Sequence, residues 1–190
     1  MIHAKETNRL SCMAGFTLFE LVTVLSIIAI LGAIAGPPCM RYYQTCCVKA
    51  AMLDMVQLVR EGKMKSLDGI EHAISFDAVA GTATLLAGKG TVEKWNTSDD
   101  IVVRTLRLKD KGGGLKFGCE SCTAIPGRIK PDDGIAFMNN MATFNEKLTG
   151  LCSGAVYIGA SSGVAVALGM NSEDAGYKLW FWNGDCWVRL

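Results

Sequence analysis

Thiol groups are the side chains whose type and spacing most clearly suggest chemistry in this chain of 190 residues, which contains eight cysteines. Cys119 and Cys122 form a CxxC pair, a spacing used by disulfides, by thiol–disulfide oxidoreductases and by zinc sites. A zinc site would need a second pair of ligands, and a redox pair would begin a helix, whereas Gly118 and Pro126 on either side indicate a loop. We therefore expect a structural disulfide without metal or cofactor, and keep metal binding and redox chemistry as alternatives.

The other cysteines fall into two groups. Cys152 and Cys186 could pair across a sheet, although sequence alone does not determine disulfide connectivity. Cys39 and Cys46 lie seven residues apart, which places them on one face of a helix, and Cys47 follows directly. We expect these three to pack as apolar side chains, with a bridge between subunits as the alternative.

A single carboxylate near the N-terminus is the second feature with chemical consequences. Between Phe16 and Gly36 there are twenty-one residues, and Glu20 is the only charged one among them. As a helix with a rise of ~1.5 Å per residue, this run spans roughly 31 Å, about the thickness of the hydrocarbon core of a bilayer. A charge in such a run is costly in lipid, so Glu20 is expected to have a function and a partner.

The segment before the apolar run has the character of a leader. Residues 1–15 are polar and carry an excess of basic over acidic side chains, which keeps this end cytoplasmic. The small residues Ala14-Gly15 lie before the apolar run, so cleavage there would remove the leader and leave the apolar helix as the new N-terminus.

The elements that position these groups can be predicted from hydrophobic periodicity. Residues 16 to about 66 are predicted to form one long helix, apolar on all sides in its first half and amphipathic in its second. Gly36, Pro37 and Pro38 interrupt the run, so a kink or local melting is expected there. The predicted buried face of the second half contains Val48, Met52, Met55, Val56 and Val59.

From about residue 70 the period changes from 3.6 to 2, which predicts a series of short strands. The clearest turn is Asn183-Gly184, which favours a two-residue hairpin between strands that contain Trp180, Trp182 and Trp187. The predicted fold is α+β, with the long helix packed on a small antiparallel sheet or sandwich. The other predicted strands are 74–78, 82–86, 101–108, 115–118, 135–138, 154–160 and 164–168.

Charge and composition provide no argument for an enzyme. Without the leader, basic and acidic residues are equal in number, so bulk charge does not favour nucleic acid. His72 stands alone in a predicted strand, and no catalytic constellation is evident around it. One basic cluster leaves DNA binding as an alternative to an ordinary solvated edge: Arg104, Arg107, Lys109, Lys111 and Lys116.

The N-terminal residues strongly resemble the class III signal of type IV prepilins and pseudopilins. The resemblance is carried by Gly15, Phe16, Thr17, Glu20 and the helix break at residues 36–37. The second proline, Pro38, departs from the family pattern. The resemblance implies that a prepilin peptidase cuts between Gly15 and Phe16 and methylates the new N-terminal residue.

Phe16 would then carry a free amino group with a pKa of ~8, and in lipid this ammonium group and the Glu20 carboxylate of a neighbouring subunit would attract each other strongly. We therefore expect Glu20 to direct assembly and axial register and not catalysis. The resemblance also implies a single pass through the bacterial inner membrane, with the N-terminus cytoplasmic and the C-terminal domain periplasmic.

The β region is similar to one branch of this family, the H-type minor pseudopilins of type II secretion and the related T-type minor pilins. The segments that carry this similarity are 74–85, 134–137, 154–164 and 182–187. It implies a cleaved leader over residues 1–15, a transmembrane helix over 16–36, a periplasmic amphipathic helix over 37–68 and a periplasmic β domain over 70–190.

What the resemblance implies for function is a structural subunit of a pseudopilus or pilus. Its expected partners are other pilins or pseudopilins, the prepilin peptidase, the inner-membrane assembly platform and membrane lipid. The first alternative is a minor pilin that binds DNA for uptake. The second is a membrane-tethered thiol–disulfide oxidoreductase that uses Cys119 and Cys122.

Overall fold

The computed structural model describes residues 16–88, 95, 100–145, 153–171 and 176–190. By its internal contacts the chain divides into two compact units, Met1–Cys39 and Met40–Leu190. The first contains the apolar part of the N-terminal helix, and the second combines the rest of this helix with the β-strands.

The long helix predicted from the hydrophobic pattern is confirmed. Helix α1 covers Leu18–Ser66, 49 residues, and its first part is long and apolar enough to cross a membrane. The helix is continuous through Pro37 and Pro38, so the local melting considered at this point does not occur. The kink at Gly36–Pro38 stays a prediction. No residue in the apolar window is buried.

The second part of α1 is amphipathic, as predicted. Its apolar residues recur every three or four positions, and this stripe is the side of the helix that leaves water. Val48, Met52, Met55, Val56 and Val59 are all buried, with exposures between 0 and 5%. Glycine at position 62 lets the helix lie close to the sheet, because a Cβ there would be only 3.0 Å from the ring of Phe144.

The strands form two antiparallel sheets. The first sheet has the order β3-β2-β1-β5 and the second the order β4-β6-β7-β8-β9. The strand bounds are β1 His72–Asp77, β2 Thr82–Ala87, β3 Ile101–Arg107, β4 Lys116–Phe117, β5 Met141–Phe144, β6 Gly154–Gly159, β7 Ala165–Met170, β8 Tyr177–Trp182 and β9 Trp187–Arg189. Short 3-10 helices cover Leu108–Lys111 and Met138–Asn140. The coarse prediction of an α+β fold with an antiparallel β region is therefore confirmed.

The prediction of a strand over residues 135–138 is wrong. Ile135 forms only an isolated bridge to Val156, and the chain then enters the short 3-10 helix. Asn139 and Asn140 take φ angles of 54° and 53°, which turns the chain before β5 begins at Met141. Two successive left-handed residues cannot continue an extended strand.

The two faces of the second sheet contribute to different apolar clusters. One face joins α1 and the first sheet in the main core, which includes Val166 and Leu168 of β7. The opposite face carries Ala165 and Ala167 and is covered by the segment that contains the CxxC pair. Because side chains alternate along a strand, the centre of this sheet is buried on both faces, and all six residues of β6 and of β7 are buried.

Candidate functional site

The start of α1 has a specific hydrogen-bonding arrangement between Thr17 and Glu20. The backbone N–H and the hydroxyl group of Thr17 each donate to Glu20 Oε2 over 2.9 Å. In return, the backbone N–H of Glu20 donates to Thr17 Oγ1 over 3.2 Å. This is a capping box, in which the residue before the helix and the third helical residue satisfy each other's free backbone N–H groups.

The capping box uses only one of the two carboxylate oxygens of Glu20. Among the described residues no donor reaches Glu20 Oε1, which leaves this oxygen available to a cation from another molecule. Phe16, directly before the box, is 87% exposed. The residue that would gain a free α-amino group on processing therefore lies four positions before a carboxylate with an oxygen that no described donor reaches, at the start of an otherwise apolar run.

Other polar side chains in the apolar run are satisfied within the helix. The Thr23 hydroxyl donates to the carbonyl oxygen of Phe19 over 3.0 Å, and the Ser26 hydroxyl donates to that of Val22 over 2.8 Å. Such back-bonding removes the cost of a free hydroxyl group in hydrocarbon. Glu20 is thus the one charged group that the described part of this run would bring into a bilayer.

The CxxC segment forms a disulfide, as expected. Cys119 and Cys122 are bonded, their Cα atoms lie 5.6 Å apart, and both residues are buried, with exposures of 9% and 5%. The residues that follow form turns and extended backbone and do not begin a helix. A helix N-terminus would be needed to lower the pKa of one thiol, and access would be needed for exchange. The geometry therefore favours a structural role.

Three hydrogen bonds stabilise this disulfide loop, residues 119–130: two lie within the loop, and one joins it to the second sheet. Lys130 Nζ donates to the carbonyl oxygens of Cys119 and Cys122 over 2.7 and 2.8 Å, which closes the loop on itself. Trp187 Nε1 donates to the carbonyl oxygen of Thr123 over 2.9 Å. The loop is thus tied both to its own disulfide and to the C-terminal hairpin.

Tyr157 on β6 forms a further hydrogen bond to the same loop. Its hydroxyl oxygen accepts a hydrogen bond from the backbone N–H of Ile125 over 3.2 Å, and both residues are fully or almost fully buried. Burial raises the pKa of the Tyr157 hydroxyl, while the Ile125 hydrogen bond and the positive charge of Arg128 oppose the rise. Tyr157 therefore stays protonated at neutral pH and works as a buried structural group.

The remaining cysteines are free thiols or lie outside the described residues. Cys186 is exposed and free, and its suggested partner Cys152 lies outside the described residues, so that pairing stays a prediction. Cys39 and Cys46 are exposed on α1, whereas Cys47 is buried against the domain. Gly15, on the leader side of the expected cleavage, also lies outside the described residues.

The basic cluster in the sequence does not form a continuous patch of unpaired cations. Three of its five members lie next to carboxylates: Arg104 near Glu61 at 3.6 Å, Lys111 near Asp54, and Lys116 near Glu120 at 2.5 Å. The hydrogen bond and the charge of Lys116 lower the pKa of the Glu120 carboxyl group. Arg107 and Lys109 are exposed and form no ion pair with a described residue.

The tryptophans of the C-terminal hairpin lie on one face of the second sheet. Trp182 pairs directly with Trp187, and their ring centroids are 5.3 Å apart. Phe181 lies on the opposite face, with Lys49 of α1 at 4.9 Å from its ring centroid. Aromatic packing explains Trp182 and Trp187, whereas Trp180 is only half-buried.

His72 has a hydrogen-bond partner within its own segment. His72 is buried, and its Nδ1 lies 2.8 Å from the carbonyl oxygen of Ile70, which satisfies it locally. Within the described residues no three His, Cys, Asp or Glu side chains are close enough to hold a metal ion together.

The feature that sequence reasoning missed at the N-terminus is the role of Thr17. The pattern Thr17-x-x-Glu20 before an apolar run is the known sequence signature of a capping box, so this contact was predictable. Comparison with known proteins adds nothing to the assignment, because no family model, curated protein or solved structure matches this chain.

Proposed function

We propose that this protein is a minor pilin or pseudopilin, a structural subunit that is processed by a prepilin peptidase and assembles through its N-terminal helix. The observation that carries the proposal is the arrangement at the start of α1. Glu20 is the single charge in an apolar helical run without a buried residue, and one oxygen of its carboxylate has no donor among the described residues. A solitary anion in a membrane segment requires a cation, and a processed N-terminus supplies one.

In this account, cleavage after Gly15 creates the ammonium group of Phe16. The same subunit's Thr17 already occupies Glu20 Oε2, so Oε1 is the atom available to the amino group of a neighbouring subunit. Pairing of these two charges in a low-dielectric medium favours one axial stagger between helices over all others. The capping box and the intermolecular pair are compatible because they use different oxygens.

The outer face of α1 supports a role in helix packing. Beyond the apolar run, this face still presents large apolar side chains to solvent, among them Tyr42 at 72% exposure and Leu53 at 61%. Cys39 and Cys46 are exposed on the same side of the helix. Apolar surface of this kind marks a contact with other molecules, and neighbouring helices of a filament would cover it.

The disulfide supports the proposed compartment. Disulfides persist in oxidising surroundings such as the bacterial periplasm and are rare in the cytosol. The Cys119–Cys122 bond lies in the domain that follows the apolar run, on the side that the basic leader leaves outside the cytoplasm. We therefore place the β domain in the periplasm and the leader in the cytoplasm.

Co-purification tests this function. The chain is co-expressed with a prepilin peptidase and a tagged major pseudopilin or pilin, and the tagged protein is isolated from membranes. Wild-type protein should co-purify, whereas Gly15→Leu, which blocks cleavage but leaves α1 unchanged, should remain in the membrane without co-purifying. Equal recovery of the uncut variant and the wild type would refute assembly through a processed N-terminus.

A further inference from the structure

A cleft on the outer face of the second sheet collects positive charge around a half-buried tryptophan. We name it the Trp180 cleft and define it by Arg128, Gly169, Lys178, Trp180 and Arg189, which line a space of about 550 Å³ together with neighbouring backbone. Three of these side chains are cationic, and no carboxylate is among the described lining residues. The cysteine chemistry, the basic cluster and the proposed assembly do not involve this cleft.

Strand pairing explains why these groups converge. Trp180 of β8 lies directly opposite Arg189 of β9, and Lys178 lies opposite Gly169 of β7. Residues two apart on a strand, and residues paired across strands, point to the same face of the sheet. Lys178 and Arg189 therefore flank the Trp180 side chain on one surface, although they are eleven residues apart in sequence.

The Trp180 ring lies close to Gly169, which has no side chain. A Cβ atom built on Gly169 would lie 2.9 Å from Trp180 Cζ3 and 3.1 Å from Ile125 Cδ1. Trp180 also packs against the apolar cluster that contains Ile125 of the disulfide loop, and the ring stays half-buried at the edge of the cleft.

The third cation is also held in place. Arg128 donates from Nη2 to the carbonyl oxygen of Met170 over 2.5 Å and from Nη1 to Ser153 Oγ. A guanidinium group has five N–H donors in a fixed planar arrangement, so three donors remain after these two bonds. Arg128 is therefore oriented by the protein and still able to bind an anion, unlike an exposed arginine that would lose side-chain freedom on binding.

We propose that the Trp180 cleft binds a phosphate monoester attached to a ring, with the ring stacked on Trp180 and the phosphate held by Arg128, Lys178 and Arg189. A phosphate monoester carries about −1.5 to −2 charges at neutral pH and accepts bidentate hydrogen bonds from arginine. It fits three converging cations better than a singly charged carboxylate does. One exposed aromatic face fits one ring. Two sources share this chemistry: a small phosphorylated compound and the phosphorylated 5′ end of a nucleic acid strand.

The test uses the full chain in an uncharged detergent and titrates it with phenyl phosphate, inorganic phosphate and phenol, followed by calorimetry and tryptophan fluorescence. Because stacking on an aromatic side chain and charge-assisted hydrogen bonds each contribute about a tenfold change in affinity, phenyl phosphate should bind about tenfold more tightly than inorganic phosphate. Binding of phenyl phosphate that is no tighter than that of inorganic phosphate would overturn the proposal, and so would the absence of binding.

Variants show whether binding occurs in this cleft. Lys178→Gln and Arg189→Gln change exposed side chains and should each weaken phenyl phosphate binding about tenfold. Gly169→Ala should weaken phenyl phosphate but not inorganic phosphate, because the added methyl group displaces the Trp180 ring. Lys109→Gln, an exposed lysine on another part of the domain, is the matched control and should bind like wild type. Equal weakening by the control would show non-specific charge binding and contradict the assignment.

Two further arms identify the source and test the surrounding charge. A 5′-phosphorylated oligonucleotide that binds more tightly than its 5′-hydroxyl counterpart indicates a strand end, and binding of phenyl phosphate without either oligonucleotide indicates a small compound. Equal binding of both oligonucleotides would mean recognition of internal phosphodiesters and would refute the proposal.

Glu173 and Asp174 neighbour the cleft in sequence and lie outside the described residues. Neutralising both should leave phosphate binding unchanged or stronger, and weaker binding would count against the site.

Discussion

Thr17 and Glu20 cap the N-terminus of α1 reciprocally, with the Thr17 backbone N–H 2.9 Å from Glu20 Oε2 and the Glu20 backbone N–H 3.2 Å from Thr17 Oγ1. The residue proposed to pair with a neighbouring subunit therefore also has a role within its own helix. A substitution that removes the carboxylate would damage both roles, so a loss of assembly in Glu20→Ala alone would be ambiguous. The two roles can be separated because they require different properties of the side chain.

Glu20→Gln separates capping from charge. Glutamine at the third helical position can complete a capping box as glutamate does, but it cannot neutralise an ammonium group. If the charge pair drives assembly, Glu20→Gln should fail to co-purify with other pilins as completely as Glu20→Ala, while both remain in the membrane.

Thr17→Ala is the matched control for this comparison. It removes the hydroxyl cap, at a cost of about 1 kcal/mol to the helix end, and keeps the carboxylate. We expect it to assemble. Wild-type assembly by Glu20→Gln combined with failure of Thr17→Ala would assign Glu20 to capping alone and would reject the intermolecular pair.

Loss of the loop disulfide should destabilise the β domain modestly. Cross-linking a loop this short removes little entropy from the unfolded chain, so Cys119→Ala/Cys122→Ala should lower the free energy of unfolding by about 2 kcal/mol. Urea unfolding followed by tryptophan fluorescence measures this. Cys46→Ala, at an exposed free thiol, should change stability by less than about 0.5 kcal/mol. A loss of insulin-reducing activity in the double variant would instead support the thiol–disulfide oxidoreductase.

The glycine-rich loop after β3 must approach α1 closely. Gly113 has φ +68°, and a Cβ atom there would lie 3.0 Å from Cys47 Cβ, whereas Gly114 has φ +65° with open space around it. Gly114→Ala should cost about 1 kcal/mol of folding stability from backbone strain alone. Gly113→Ala should cost about 1–3 kcal/mol more, because it also overpacks the helix contact. Equal destabilisation of the two variants would mean that the loop does not pack on α1 as described.

Tyr157 makes stability depend on pH at the alkaline end. An unfolded tyrosine loses its proton near pH ~10, whereas burial raises the pKa of Tyr157 in the folded protein. Between these two values the folded state binds more protons than the unfolded state, so stability is complete below pH ~10 and falls as pH rises further. Thermal unfolding between about pH 9 and 11 should show this decline in wild type.

Tyr157→Phe should reduce the alkaline decline. It should also lower stability at neutral pH by about 1–3 kcal/mol, because the buried N–H group of Ile125 loses its acceptor. Identical pH dependence of the variant and the wild type would contradict the assignment of the decline to Tyr157.

Local sequence patterns predict the helix and hairpins of this fold, but they do not predict contacts between residues that lie far apart in the sequence. The buried stripe of α1 and a final hairpin follow from periodicity and turn chemistry, and the structure confirms both. The prediction of a two-residue Asn183-Gly184 turn is wrong, because Trp182 pairs with Trp187 and residues 183–186 lie between the two strands. Asn183 Oδ1 accepts hydrogen bonds from the backbone N–H groups of Asp185 and Cys186, so Asn183 precedes the turn.

The segment from Ile135 onward was predicted as a strand because an apolar run follows a strong turn. Only Ile135 pairs there, in an isolated bridge to Val156, and the chain then turns through the short 3-10 helix Met138–Asn140. Strand β5 follows this helix and pairs with β1, more than sixty residues away in sequence.

The candidate site shows the same limit. Gly15, Phe16 and Glu20 stand out because their chemistry depends on spacing within a few residues, and the capping box could have been predicted in the same way. The Trp180 cleft could not, because Arg128, Lys178 and Arg189 come together only through strand pairing and a loop that crosses the sheet. The pairing of Lys111 with Asp54 likewise depends on how the domain packs on the helix.

The N-terminal peptide of the protein isolated from cells with an active prepilin peptidase tests the central claim most directly. Mass spectrometry should find a chain that begins at an N-methylated Phe16, with residues 1–15 removed. A chain that keeps Met1 and the intact leader in those cells would contradict the account, because the Glu20 carboxylate would then have no ammonium group to bind.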